Sequence, residues 1–293
     1  MQAVSTVAEY NAIYTEWTGR TVALVPTMGA LHEGHMALIR RAKALADRVV
    51  VSIFVNPLQF GPQEDLARYP RPLEQDLSIC RDLGVDAVFH PAVSTLYPSG
   101  LDKAGLENGT TVLPPALLSE RFCGAFRPGH FTGVATVVLK LLNLLRPQIA
   151  VFGEKDAQQL KIIQQMVLDL HLPVQIISQP TIREANGLAM SSRNRYLQTE
   201  EERQAALCLY QILTQTRAAV AQTDQPLETP GTLRRISEAV LAPWQNTNVS
   251  IRIQYLEAVD QESFAPADCL KPGVKLLMAA YVGNVRLIDN MDL

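Results

Sequence analysis

The chain has 293 residues, 47% of them hydrophobic and 19% charged, with a formal net charge of −3 and a sequence pI of about 6.0. That is the composition of a globular protein with one large domain or two moderate ones, and it carries no basic footprint for nucleic acid. No apolar run reaches the length of a membrane span, and the opening MQAVSTVAEYNAIYTEW lacks the basic start and apolar run of a secretory signal. Four cysteines (Cys80, Cys123, Cys208, Cys269) lie far apart without a C-x-x-C pair, which fits reduced thiols in a cytoplasmic enzyme.

In chain order, 21–27 (TVALVPT) reads as a strand and 34–47 as a helix; the basic trio Arg40, Arg41 and Lys43 on that helix reads as a solvated face. Residues 48–56 (RVVVSIFVN) form a near-continuous apolar run of the kind buried on both faces of a sheet. A polar loop leads to a helix near 72–83 and a short strand at 86–91. The proline- and glycine-rich stretch 92–130 holds one short helix near 115–121. A buried helix over 133–147 is stopped by Pro147, and a strand at 149–153, an amphipathic helix at 157–171 and a strand at 173–180 follow. Alternating strands and helices predict a parallel α/β sheet with right-handed crossovers, so 1–181 is expected to be a Rossmann-like nucleotide-binding domain. Beyond it, helices at 198–222 and 232–245 and strands at 251–260, 275–283 and 285–290 predict a smaller α+β domain over 182–293.

Ligands of such sheets bind beyond the carboxyl ends of the strands. The unusual polar segments PTMGALHEGH, NPLQFG, FGEKDAQQ and PTIREANGLAMSSRN each follow a strand, so they are expected to share one cleft. His32 and His35 stand in the first, at the start of a helix whose outward amides and dipole favour a polyphosphate. The same pair also fits a zinc site or a simple turn cap. Lys155 suits a phosphate as a point charge and Asp156 a ribose hydroxyl, or the two belong to an ordinary helix-capping turn. Ser191, Ser192 and Arg193 in MSSR offer a clamp for developing phosphate charge, or a polar loop at a domain junction. Gln59 and Gln159 are uncharged groups able to grip a hydroxy acid while leaving its carboxylate reactive, or each is an ordinary surface glutamine. Asp76, with Glu74 nearby, offers oxygens to magnesium or simply faces solvent, and His130 is a further cleft candidate. His90 and His171 have no argument for the site. The G-x-G-x-x-G, Walker and G-x-S-x-G patterns are absent.

The segments PTMGALHEGH, SIFVNPLQFGPQEDLARYPR, RPGHFTGVATVVLKLLNLLRP, FGEKDAQQLKIIQQMV and GLAMSSRNRYL, in this order across most of 21–197, together resemble pantoate–β-alanine ligases. RLIDN near the end fits as well. The resemblance implies an H-x-G-H adenylate-forming fold, with ATP and magnesium, that joins (R)-pantoate to β-alanine through a pantoyl adenylate in a cytoplasmic homodimer. It further implies that Met28, Gly29, Ala30, Leu31, His32, Glu33, Gly34 and His35 form the ATP loop, with His35 as proton donor and His32 sharing the phosphate. Gly153, Glu154, Lys155 and Asp156 would contact ribose and phosphate, Ile182 the adenine, and Met190, Ser191, Ser192 and Arg193 the phosphates, the second domain covering the site. Gln59 and Gln159 would bind pantoate, with Gln59 also bordering β-alanine. The segment departs from the family at Gln75, where an acidic residue is expected, leaving Asp76 as the candidate magnesium ligand. An adenylyltransferase, an aminoacyl-tRNA synthetase without its RNA-binding extension and a nucleotide-sensing protein are the competing readings.

Overall fold

The computed structural model describes residues 1–61, 64–101 and 108–293; the parts of the two predicted loops at 62–63 and 102–107 lie outside the described residues. The chain divides into two compact units, residues 1–154 with 158–180, and residues 155–157 with 181–293.

The first unit is built on a parallel sheet of six strands: β1 (Gln2–Val4), β2 (Val22–Thr27), β3 (Arg48–Ile53), β4 (Ala87–Phe89), β5 (Ile149–Gly153) and β6 (Gln175–Gln179), in spatial order β1-β4-β3-β2-β5-β6. Five of these strands were legible in the sequence. The sixth, β1, is three residues long and pairs with β4 at the sheet edge; a run that short carries no periodicity. The helix after it, α1 (Val7–Glu16), begins at a Thr6–Glu9 capping box that satisfies two backbone donors reciprocally. Val49, Val50 and Val51 in β3 are each fully buried, as a strand covered on both faces requires.

Helices α2 (Glu33–Leu45), α3 (Leu73–Asp82), α4 (His130–Leu145) and α5 (Ala157–Asp169) make the remaining long crossover elements. In α4 ten residues are buried, and the helix ends at Arg146 in the left-handed conformation, one residue before Pro147. The chain runs from β2 outward to β3 and β4, then returns to lay β5 against the other side of β2. The strand order therefore reverses between β2 and β5. An open α/β sheet has its ligand crevice at such a switch, because successive loops there part to opposite faces.

The second unit packs α6 (Glu200–Ala221) and α7 (Thr229–Leu241) against an antiparallel sheet of β7 (Ile251–Asp260), β8 (Val274–Val282) and β9 (Val285–Asp292). Leu209, Ile212, Leu276 and Met278 lie at the centre of its core, each no more than 1% exposed. Helix α6 carries its own Thr199–Glu202 capping box, with three glutamates in the first turn to complement the helix dipole. Among the described residues, no helix is long and apolar enough to cross a membrane.

Candidate active site

Strand β2 delivers the H-x-G-H loop to the switch point. The Thr27 hydroxyl donates to the Ser52 carbonyl at 2.8 Å and accepts from the Gly29 amide at 3.1 Å, bending the chain off the strand. Gly29 (φ 79°) and Ala30 (φ 52°) both lie in the left-handed region. This turn gathers the Ala30 and Leu31 N–H groups on one side, as an anion-binding nest does. The anion is supplied by the protein itself. Asp76, 1% exposed, accepts from Ala30 N through one oxygen and Leu31 N through the other, both at 2.8 Å.

Two expectations are corrected here. Asp76 neither faces solvent nor offers an open oxygen pair to magnesium; it anchors the loop. Its neighbours Glu74 and Gln75 are exposed, and among the described residues no three acidic, histidine or cysteine side chains gather as a metal site. The magnesium reading thus comes down to the single Asp76 carboxylate, each of whose oxygens already accepts from a loop amide. Nor do the loop amides stand open for phosphate, since those of Gly29, Ala30, Leu31, His32 and Gly34 all have partners within unit 1.

The loop also carries two imidazoles. His32 is the N-cap of α2, and its Nδ1 accepts from Gly34 N at 3.1 Å. His35 Nδ1 accepts from His32 N at 3.3 Å, and the two rings lie 4.1 Å apart, tilted by 44°. An Nδ1 that accepts from an amide carries no hydrogen, so in the neutral ring the hydrogen is on Nε2. Both histidines are thus caps, where the sequence reading offers one as a turn cap, and both are held as Nε2 donors. Glu33 pairs with Arg40 on the exposed side of the helix. Met28 lies between Thr27 and the nest.

The second cluster forms after β3. Arg127 donates through Nε and Nη2 to the Glu64 carboxylate at 2.7 and 2.5 Å, and through Nη2 to the Gln59 carbonyl at 3.0 Å. His130 Nδ1 lies 2.8 Å from the same carbonyl, which can only accept, so Nδ1 carries the hydrogen; its Nε2 then accepts from Arg127 Nη1 at 2.9 Å. His130 thus holds the Gln59 carbonyl through Nδ1 and, through Nε2, the Arg127 guanidinium that grips the same carbonyl. Glu64 and Arg127 escaped the sequence reading, because a lone acid and a lone arginine in two loops 63 residues apart announce nothing until the fold joins them.

Across the switch, Gly153 ends β5, and Glu154 accepts from the Ser178 hydroxyl at 2.7 Å. On the first turn of α5 the adjacent glutamines part company. Gln158 is 5% exposed and spent on Cys123 N, Leu118 O and Arg121 O. Gln159, about 100° further round the helix, is half-buried.

In the second unit, Lys155 is held through its carbonyl, which accepts from Asn290 Nδ2 at 2.8 Å, and Asp156 follows it. Met190 N donates to the Ile182 carbonyl at 2.9 Å, closing a short hairpin. Ser191 caps the turn that carries Ser192 and Arg193, its hydroxyl oxygen accepting from Arg193 N at 3.2 Å. Arg183 grips Asp289 bidentately at 2.6 and 2.9 Å and lies 4.7 Å over the Tyr210 ring. Burial pushes the Asp289 carboxyl above its usual range, and the Arg183 guanidinium opposes that rise without cancelling it.

The family model described as pantoate-β-alanine ligase matches residues 2–292. The chain belongs to the pantoate–β-alanine ligase family. A pantothenate synthetase of Moorella thermoacetica is 45% identical over 293 residues, covering 100% of this chain and 98% of its own. A bifunctional pantoate ligase/cytidylate kinase of a Synechococcus strain is 49% identical over 291 residues, covering 99% of this chain. The chain spans about half the length of that relative, 52%. The crystal structure of pantothenate synthetase from Thermus thermophilus superposes with a TM-score of 0.89 at 42% identity, covering 100% of this chain and 99% of that one. The pantoate-β-alanine ligase of Francisella tularensis, complexed with β-γ ATP and β-alanine, does so at 0.75 and 33% identity, covering 100% and 97%.

Proposed function

We propose that this ligase-family chain condenses (R)-pantoate with β-alanine at the expense of ATP, through a pantoyl adenylate. In the first step a pantoate carboxylate oxygen attacks the α-phosphorus, and the bond from that phosphorus to the bridging oxygen breaks, releasing pyrophosphate. In the second the β-alanine amine attacks the acyl carbon, the bond to the AMP oxygen breaks, and the nitrogen sheds its extra proton. A carboxylate is a poor acylating agent until one oxygen belongs to a good leaving group, and the first step supplies it.

The observation that carries the reading is the imidazole pair, fixed through both Nδ1 atoms at the switch point of a chain that matches the family from residue 2 to 292. Two Nε2–H donors held in advance stabilise phosphate charge as it develops without reorganising. His35 is assigned as proton donor and His32 as its partner on the phosphates. Lys155 and Arg193 are assigned to neutralising charge, Gly153, Glu154 and Asp156 to ribose and phosphate, Ile182 to adenine, and Gln59 and Gln159 to pantoate. Magnesium belongs to this reading as a companion of ATP, since that ion is held largely by substrate phosphates and water. A cytoplasmic homodimer is the form the family resemblance implies.

AMP formation measured with ATP, magnesium and pantoate, with and without β-alanine, tests the assignment. Stoichiometric AMP only with both acids supports the ligase. Pyrophosphate release that β-alanine does not alter points to an adenylyltransferase, and ATP binding without turnover to a sensing protein.

A further inference from the structure

Asn56 stands just beyond β3 and is fully buried. Its amide is held at both ends by backbone: Leu58 N–H donates to Oδ1 at 3.3 Å, and Nδ2 donates to the Gly133 carbonyl at 3.1 Å. Reversing the amide would set donor against donor and acceptor against acceptor, so the backbone itself decides which end is oxygen. The Tyr97 phenol, 2.6 Å from that oxygen, must therefore be the donor. Nδ2 directs its second hydrogen to Gln59 Oε1 at 3.0 Å. Gln59 in turn has its oxygen facing Asn56 and its Nε2 turned away.

Tyr97 is itself fixed. It is 1% exposed, the Lys140 ammonium sits 4.9 Å over its ring, and that ammonium also donates to the Leu96 carbonyl at 3.0 Å. The bond to Asn56 is the shortest in the chain of amides, and hydrogen bonds in series polarise one another. The Gln59 backbone is clamped separately by Arg127 and His130. Main chain and side chain of one substrate-facing residue are thus held by two independent sets of groups.

We propose that Tyr97 is a positioning residue that braces Asn56 in the orientation the backbone sets and so holds the Gln59 amide with its oxygen on Asn56, leaving Gln59 to present hydrogen-bond donors to an acceptor-rich substrate, the hydroxy acid. The inference rests on the functional reading above. Neutral donors bind the oxygens of a carboxylate or hydroxyl without withdrawing the charge a nucleophilic carboxylate needs. The same donors disfavour an ammonium group, so this end of Gln59 selects the acid over the amine.

The test is a double-mutant cycle on the full chain, with steady-state constants measured separately for pantoate and ATP. Tyr97→Phe removes one hydrogen bond and is expected to raise KM for pantoate about five- to tenfold, with KM for ATP unchanged within about twofold. In a Gln59→Ala background the same substitution is expected to add nothing to KM for pantoate. A merely structural role for Tyr97 would shift both substrates alike, or multiply with Gln59→Ala, and either result overturns the proposal. Should thermal unfolding show that Tyr97→Phe does not fold, Gln59→Glu decides: it keeps an oxygen for Asn56 but replaces the outward donor with an acceptor. It should cut kcat/KM for pantoate at least about thirtyfold while sparing ATP; an unimpaired Gln59→Glu overturns the proposal. Wild-type chain that turns over no hydroxy acid overturns the functional reading first, and this inference with it.

Discussion

Asp76→Asn tests whether the nest, rather than open backbone amides, shapes the H-x-G-H loop. The wild-type carboxylate accepts from Ala30 and Leu31 at 2.8 Å each while 1% exposed. Asparagine keeps one acceptor and turns an NH2 group toward the other amide, so one charge-assisted bond is lost and one buried donor is left without a partner. A hydrogen bond to a charged group contributes about 1.5–3 kcal/mol, and leaving a buried donor unmatched costs about 1–3 kcal/mol. Taking about 3 kcal/mol for the site, and a factor of ten per 1.4 kcal/mol, kcat/KM for ATP should fall about 10²-fold if the loop is needed in this geometry. Thermal unfolding should register the same loss at about 2–4 °C per kcal/mol for a unit of this size. Steady-state kinetics with ATP varied, beside calorimetry, reads both. Wild-type kcat/KM for ATP in a variant that also unfolds at the wild-type temperature would refute the anchoring role. A variant whose activity returns at high magnesium would instead restore Asp76 as a metal ligand.

Further outcomes follow from other parts of the molecule. His35→Ala should lower kcat about 10²-fold or more with little change in Tm, because it removes a donor and one side-chain cap but no core packing; single-turnover pyrophosphate release checks it. At Gly133 an added Cβ would lie 2.3 Å from the Leu58 carbonyl oxygen, so Gly133→Ala must displace the segment that carries Gln59. It should cost about 1–3 kcal/mol in calorimetry and raise KM for pantoate more than KM for ATP. Burial pushes the Cys80 and Cys208 thiols up to about 12 and about 11, so both stay protonated and unreactive at pH 8, whereas Cys269 is exposed. Alkylation of native protein at pH 8 followed by peptide mapping should modify Cys269 first, with Cys80 and Cys208 labelled only after unfolding.

Much of the framework was written in local patterns. The run RVVVSIFVN reads as a strand covered on both faces, because nothing else buries so many β-branched residues in sequence. The helix after the histidines, the stop at Pro147 and the antiparallel end of the chain are equally local signals, and each lies within a few residues of the observed element. The H-x-G-H loop stood out because two histidines beside a glycine at a strand–helix junction are rare. By contrast β1 gains its identity only from pairing with β4, a partner more than 80 residues away.

The sequence by itself thus determined the alternation of elements, the family and the polar segments that end the strands. The tertiary structure alone decided what each polar group does. Asp76 reads as a metal ligand on a helix face until α3 packs beneath the loop and spends both its oxygens on Ala30 and Leu31. His130 shows no partner in the sequence until Arg127 and the Gln59 carbonyl meet its two nitrogens. Tyr97 carries no signal at all until its hydroxyl meets Asn56, 41 residues away. The physical reason is common to all three: hydrophobic periodicity is a property of neighbours along the chain, whereas a buried polar group takes its role from whichever partner satisfies it, and that partner comes from a distant part of the chain.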